Sequence, residues 1–253
     1  MPSESKFRIT LDGVMSGQEP GPMVEPCLGV IVPAFNEEKT IARVLDRVLR
    51  QQCVAQVVVV DDASTDSTQE ALRPFSSDRR LTIRRHERNQ GKGAAIRTAL
   101  AAIEAPIVVI QDADLEYDPA EYDTLIEPIL AGRTDVVYGV RGFLSHTSYS
   151  YWFVIGNRLV TTATNVLFNC YLGDLETCFK LMPVDLYRSL NVRSRGFGME
   201  AEVTGKLLRR QVRPYEVPIS YRARSREEGK KITWRDGVEA LYILGRARVR
   251  KPR

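Results

Sequence analysis

The chain has 253 residues, 43% of them hydrophobic and 27% charged, with a formal net charge of +4, which suits one globular domain that buries its own core. Its four cysteines (Cys27, Cys53, Cys170, Cys178) form no C-x-x-C pair and its histidines are only His86 and His146, which argues against structural zinc, and a chain this long needs no disulfide framework. The longest apolar runs, such as 28–33 and 57–60, fall far short of the roughly 20 residues a bilayer-spanning helix needs, so no segment is expected to cross a membrane.

Residues 1–24 open on Ser, Glu and Lys, carry three glycines, lack the apolar core of a signal peptide, and read as a flexible N-terminal arm. From residue 28 short β-branched runs alternate with helical patterns, the mark of a mainly parallel sheet wound with crossover helices. Strands are predicted over 28–32, 56–60, 81–85, 106–110 and 135–138. Between them, Ile41, Val44, Leu45 and Val48 recur at i, i+3, i+4, i+7, and Ile96, Ala99, Leu100 and Ile103 repeat the spacing, so each set forms the apolar stripe of a helix. The second half reads as a helix over 149–169, a strand over 177–182, a helix over 200–210, a strand over 213–218 and an amphipathic helix over 233–249. These elements are expected to complete the same sheet, giving one Rossmann-like α/β domain over 25–249 and a basic tail over 250–253.

Charge is unevenly distributed. Residues 222–253 carry +7 and the remainder −3, so the basic end should meet something anionic: nucleic acid, a phospholipid surface or a phosphate-bearing substrate.

In an open parallel sheet, ligands bind beyond the carboxyl ends of the strands. Three of the predicted strands end in polar groups: Asn36, Glu37 and Glu38 after the first, Asp61, Asp62, Ser64 and Asp66 after the second, and Asp112, Asp114 and Glu116 after the fourth. So many carboxylates on one edge repel one another unless a cation or hydrogen-bond donors offset them. Asn36 and Glu37, and likewise Asp62, Ser64 and Asp66, have a second reading as helix caps. Asp112-x-Asp114-x-Glu116 is more specific, because alternate carboxylates in a tight turn converge, and oxygen ligands suit Mg²⁺ or Mn²⁺. Gly91-Lys92-Gly93 opens a helix and can hold phosphate through backbone amides or serve simply as a glycine turn. It has neither Rossmann fingerprint nor Walker A spacing.

Taken in order, residues 30–38 (VIVPAFNEE), 58–66 (VVVDDASTD), 89–93 (NQGKG) and 112–114 (DAD) resemble the motifs of family-two glycosyltransferases with the GT-A fold. Residues 138–141 (YGVR), 157–158 (NR), 174–180 (DLETCFK) and 216–219 (EVPI) look like the branch that makes polyprenyl-phosphate sugars, such as dolichol-phosphate mannose synthases and glucosyltransferases. The resemblance spans roughly residues 26–245. It implies that Pro33, Phe35, Glu37 and Asp61, with Asp62 and Lys92, hold the nucleotide sugar, and that Asp112, Asp114 and Glu116 hold the metal and diphosphate. Glu116 stands where the mannose synthases usually have Gln, and Phe35 where Tyr is commoner. Arg141 and Arg158 match arginines that receive a lipid phosphate, and the basic loop 222–231, with Arg222, Arg224 and Lys230, matches one that closes over the donor.

The implied reaction moves a hexose from GDP-mannose or a UDP-hexose to a polyprenyl monophosphate with inversion, aided by Mg²⁺ or Mn²⁺. A phosphate monoester, with its second pKa near 6, is already largely dianionic at neutral pH and needs arginines more than a base. Asp112, Asp114, Arg141, Arg158 and Asp174 are the expected catalytic residues. Such an acceptor implies a cytoplasmic enzyme peripheral to a membrane, docked through Leu241, Ile243 and Leu244 of the last helix, with a membrane-spanning partner subunit as a further candidate. Two rival readings are a family-two transferase with a soluble or protein acceptor, using Asp174 or Glu200 as base, and a nucleotide- or RNA-binding module. Nucleic acid is not the expected partner, because the basic end has few aromatic residues for stacking.

Overall fold

The computed structural model describes residues 25–141, 151–196, 198–222 and 234–249; the predicted arm, the basic tail and loop residues Arg224 and Lys230 lie outside them. Among the described residues, seven strands form one sheet in the order β3-β2-β1-β4-β6-β5-β7. They are β1 (Leu28–Ala34), β2 (Val54–Asp61), β3 (Leu81–Arg85), β4 (Ile107–Ile110), β5 (Val137–Arg141), β6 (Lys180–Pro183) and β7 (Tyr215–Ile219). Strand β6 runs antiparallel to both β4 and β5, and every other pairing is parallel. The carboxyl ends of the six parallel strands and the amino end of β6 therefore meet on one edge.

The apolar runs become strands because both sheet faces are covered. Val30, Ile31, Val32, Val57 to Val60 and Ile107 to Ile110 are all buried, the continuous hydrophobic pattern of a parallel sheet. Helix α1 (Ile41–Leu49) buries Ile41, Val44, Leu45 and Val48 as their spacing requires. Helix α3 (Lys92–Ala102) packs so tightly on β1 that a Cβ at Gly29 would sit 2.9 Å from the Ile103 side chain, just past its end. The predicted helices of the second half appear as α5 (Tyr151–Phe168), α7 (Met199–Arg209) and α8 (Trp234–Val249), which share a smaller core of Val160, Leu175, Ala201, Ala240 and Leu244.

Three short helices were not expected: α2 (Thr68–Leu72), α4 (Tyr122–Leu130) and α6 (Val184–Ser189). Helix α4 buries Tyr122, Leu125, Ile126 and Ile129 at helical spacing, but Pro128 obscures the pattern; it lies in the last turn, where the missing N–H removes a single bond. The strand predicted over 177–182 narrows to β6, because Thr177, Cys178 and Phe179 form its approach. There the Cys178 amide donates to the Tyr117 hydroxyl at 3.0 Å.

Candidate active site

The strand edge opens on a cleft of about 290 Å³. Pro33, Phe35 and Glu37 line it from β1, Asp62 from β2, Lys92 from α3, and Asp112, Asp114, Glu116 and Tyr117 from the loop after β4. Arg141, Glu176, Cys178, Glu200 and Tyr221 complete its walls.

The loops after β1 and β2 are fastened to each other. The Asn36 amide donates to Ser64 Oγ at 2.9 Å, the Glu37 amide to Thr68 Oγ1 at 2.8 Å, and the Thr65 amide to Asn36 Oδ1 at 2.8 Å. Asn36 and Ala63 take left-handed conformations, φ 57° and 62°, to allow this. Of the residues read as possible helix caps, Ser64 binds the neighbouring loop instead, whereas Asp66 does both: Oδ1 accepts from the amide of Thr68, the first residue of α2, at 3.0 Å, and Oδ2 accepts from the Glu38 amide at 3.2 Å.

Asp62 is 3% exposed, and its carboxylate accepts from the amides of Gln90 and Gly91 at 2.9 and 2.7 Å and contacts His86 Nδ1 at 2.6 Å. It anchors the entry to α3, a role nearer to capping than to ligand binding. Asp61 does not line the cleft: it is 1% exposed, Oδ1 accepts from the Ser64 amide, and buried Oδ2 has no hydrogen-bond partner, with Arg85 Nε 3.5 Å away.

Two of the three backbone amides of Gly91-Lys92-Gly93, read as a possible phosphate cradle, are already taken. The Gly91 amide is taken by Asp62, and the Gly93 amide donates to the Arg195 carbonyl at 2.7 Å. Both glycines are required by close approach of another chain segment. A Cβ at Gly91, whose φ is +92°, would lie 2.5 Å from the Arg195 oxygen, and one at Gly93 would lie 2.2 Å from the Ser194 oxygen. Gly91 lines the cleft with Lys92, whose ammonium lies 2.7 Å from Asp112 and 3.9 Å from Glu200. Burial alone would lower its pKa, but Asp112, Cys178 and Glu200 outweigh burial and hold the ammonium charged.

Nor do Asp112, Asp114 and Glu116 converge as expected: among the described residues, no three acidic, histidine or cysteine side chains form a metal cage. Asp112 turns to Lys92, and Glu116 Oε2 accepts from the Tyr221 hydroxyl at 2.5 Å. Asp114 Oδ1 accepts from the Glu116 amide at 3.1 Å around Leu115, whose φ is 64°. A divalent cation nonetheless fits this donor set. Mg²⁺ is usually held by one or two carboxylates and keeps its other positions for water and substrate phosphates, and Asp114 with Asp112 offers hard oxygen donors beside the cleft.

At the end of β5, Arg141 is 5% exposed and bidentate to Asp174, with Nε to Oδ2 at 2.6 Å and Nη2 to Oδ1 at 2.7 Å. The Tyr221 ring covers it 5.0 Å away. Burial would raise the Asp174 carboxyl, but Arg141 and the Asn157 amide group hold it below the usual carboxylate range. Asp174 is fully buried and committed to these partners, so the role of base does not suit it; it positions Arg141. Arg158 is not among the described residues that line the cleft. Its neighbour Asn157 points inward, and one step along α5 turns Arg158 about 100° away, onto an exposed face outside the cleft.

Several residues of the site had escaped notice. Buried Lys180 donates to the Leu175 carbonyl at 2.9 Å, to Glu200 at 2.6 Å and to the Thr177 carbonyl, and lies 4.9 Å from the Tyr138 ring centre. Glu176 lines the cleft, and burial pushes its carboxyl up to about 7, against the pull of Lys180. Burial likewise raises Cys178, which is a neutral thiol at physiological pH. The motif 174–180 was visible in the sequence, but the partners of Glu176 and Lys180 lie on other elements.

Together these features define an α/β protein with a carboxylate-rich cleft at the carboxyl edge of its sheet. Residues 29–190, more than half of the chain, match the family described as Glycosyl transferase family 2, and the chain belongs to that family. Glycosyltransferase AglJ of Haloferax volcanii is 25% identical over 193 residues, covering 76% of this chain and 62% of that protein. A dolichol-phosphate mannosyltransferase of Pyrococcus furiosus is 30% identical over 116 residues, covering 45% of this chain and 33% of its own length. Glucosyl-3-phosphoglycerate synthase of Mycobacterium tuberculosis, in complex with Mn²⁺, UDP and glucosyl-3-phosphoglycerate, superposes with a TM-score of 0.68 at 20% identity, over 92% of this chain and 86% of that one. The expected family and the expected GT-A fold are thus borne out. Among the described residues no helix is long and apolar enough to cross a membrane.

Proposed function

We propose that this chain transfers a hexose from a nucleoside-diphosphate sugar to a polyprenyl monophosphate. The observation that carries the reading is the arrangement of the cleft, which is lined both by carboxylates after β4 and by the fixed guanidinium of Arg141 at the end of β5, with Tyr221 between them. An oxygen of the acceptor phosphate attacks the anomeric carbon from the face opposite the leaving group. A new C–O bond forms as the bond to the diphosphate breaks, the configuration inverts, and a nucleoside diphosphate departs. Pro33, Phe35 and Glu37 line the part of the cleft assigned to the nucleotide. Asp114, with Asp112, would hold Mg²⁺ or Mn²⁺, which supplies positive charge to the leaving diphosphate. Lys92 adds a second positive charge nearby. Arg141, kept charged by Asp174, draws the acceptor anion towards a donor of like charge.

The names of the Pyrococcus relative and of a Methanococcus voltae UDP-N-acetylglucosamine–dolichyl-phosphate transferase, 28% identical over 135 residues, favour a lipid phosphate. One observation favours a hydroxyl acceptor instead. Glu176 lines the cleft, and its carboxyl, raised to about 7, suits the role of proton acceptor for an attacking hydroxyl.

The test is transfer from radiolabelled UDP- and GDP-sugars, with Mg²⁺ or Mn²⁺, to polyprenyl phosphate in one series and to 3-phosphoglycerate and free sugars in another. Label in an organic-extractable, mild-acid-labile product supports the lipid phosphate. Label only in water-soluble products overturns it in favour of the Glu176 reading.

A further inference from the structure

Helix α8 is apolar on two opposite faces. Its inner face is spent on the fold: Ala240 and Leu244 are 2% and 0% exposed. Side chains of Ile243 and Ala247 lie 2.5 and 3.0 Å from where a Cβ would stand on Gly198 and Gly205, so α8 beds closely on α7. At 100° per residue, Val238, Leu241, Tyr242 and Val249 fall together on the far side, and they are 56%, 40%, 67% and 81% exposed. A helix with one face in the core ordinarily presents polar groups on the other. Of the docking residues predicted from the sequence, Leu241 faces outward, whereas Leu244 is buried and Ile243 half-buried.

The charges around this strip select its partner. Arg246 and Arg248 flank it, and Arg250, Lys251 and Arg253 follow in the sequence, whereas the acidic residues of α8 are Asp236 and Glu239 in its first two turns. Arg248 Nε donates to the Leu167 carbonyl at 2.9 Å, which sets the end of α8 beside α5 next to Val166, 77% exposed. Leu159, two turns earlier on α5, is 64% exposed. The apolar surface therefore continues onto α5, with cationic groups at its rim, and complements an anionic, partly apolar surface.

We propose that the outer face of α8 docks this protein on an anionic bilayer, with Val238, Leu241, Tyr242 and Val249 at headgroup depth and the arginines on lipid phosphates. The inference rests on the lipid-acceptor reading for its purpose.

Its test is flotation of the full chain with vesicles of phosphatidylglycerol and phosphatidylcholine, and of phosphatidylcholine alone. The expected result is flotation with the anionic vesicles, weakened about tenfold or more in a Val238→Ser, Tyr242→Ser, Val249→Ser variant whose thermal midpoint is unchanged. An Arg246→Gln, Arg248→Gln variant keeps the apolar strip and loses the preference for anionic lipid. Equal flotation of wild type and the triple variant overturns the proposal. So does a wild-type dimer that the triple variant dissociates, which assigns the face to a second copy, and so does vesicle binding that emerges only after deletion of residues 1–24, which assigns it to the arm. Vesicle binding without lipid-linked product overturns the acceptor reading alone, whereas lipid-linked product without vesicle binding overturns the docking face alone.

Discussion

The two walls of the cleft are held in place by different means. On the β1–β2 side, neighbouring loops are joined by hydrogen bonds from Asn36 to Ser64 and Thr65 and from the Glu37 amide to Thr68, and Asp62 anchors the first turn of α3. On the β5–β6 side, charged side chains are buried in pairs, Arg141 with Asp174 and Lys180 with Glu200. The first arrangement is local and leaves ligand-facing groups near solvent. The second gives a rigid guanidinium in a dry wall, and it makes this wall the more fragile, since removing one partner strands a buried charge.

The largest effect should come from breaking the second wall. Lys180→Met leaves Glu200 buried beside fewer cations and is expected to remove about 3–5 kcal/mol of stability, read from urea denaturation. Next, Asp114→Ala on the donor wall should reduce kcat by about 10²–10³-fold while the urea midpoint stays in place, because it removes charge stabilisation without opening the core. A midpoint that shifts with it would mean that the donor wall is as structural as the other. Gly93→Ala, which drives a Cβ against the Ser194 carbonyl, is expected to lose about 1–3 kcal/mol by the same measurement.

A pH series sharpens the comparison further. The folded-state pKa of Glu176 is raised to about 7, so its contribution to stability is fully present below the ordinary carboxylate value of 4.5 and is lost as pH rises towards 7. Glu176→Gln should remove that part of the pH dependence. If the acceptor is a phosphate, kcat/KM rises near pH 6 in wild type and variant alike; if it is a hydroxyl, the rise falls near 7 and disappears in the variant. The smallest effect is expected of Arg158→Ala, within about 0.5 kcal/mol in stability and about twofold in transfer, since Arg158 lies outside the cleft.

What could be read in advance follows the same division. The strand ends, the helices of 41–48 and 96–103 and the position of Asp112 and Asp114 were legible, because periodicity and strand-end chemistry are local in sequence. The commitments of Arg141 to Asp174 and of Lys180 to Glu200 join residues 33 and 20 positions apart, and no local pattern reports them. Convergence of three carboxylates was expected from their alternate spacing. That spacing could not reveal that Lys92 and Tyr221, from two other elements, would draw Asp112 and Glu116 away. Helix α8 was rightly read as a helix, but it is apolar on two faces, and which of them is outward depends on where α7 lies.

The contact of Gly91 and Gly93 with Ser194 and Arg195 has one more consequence. Backbone meets backbone there, with Arg97 also holding the Ser194 carbonyl at 2.8 Å and Glu202 accepting from the Ser194 amide at 2.7 Å, so no side-chain rotation can relieve a change. Over evolutionary drift the two segments are therefore locked to one another. The stretch around 191–196 looks like an ordinary connecting loop, yet it should accept insertions and bulky neighbours only when the start of α3 changes in the same lineage.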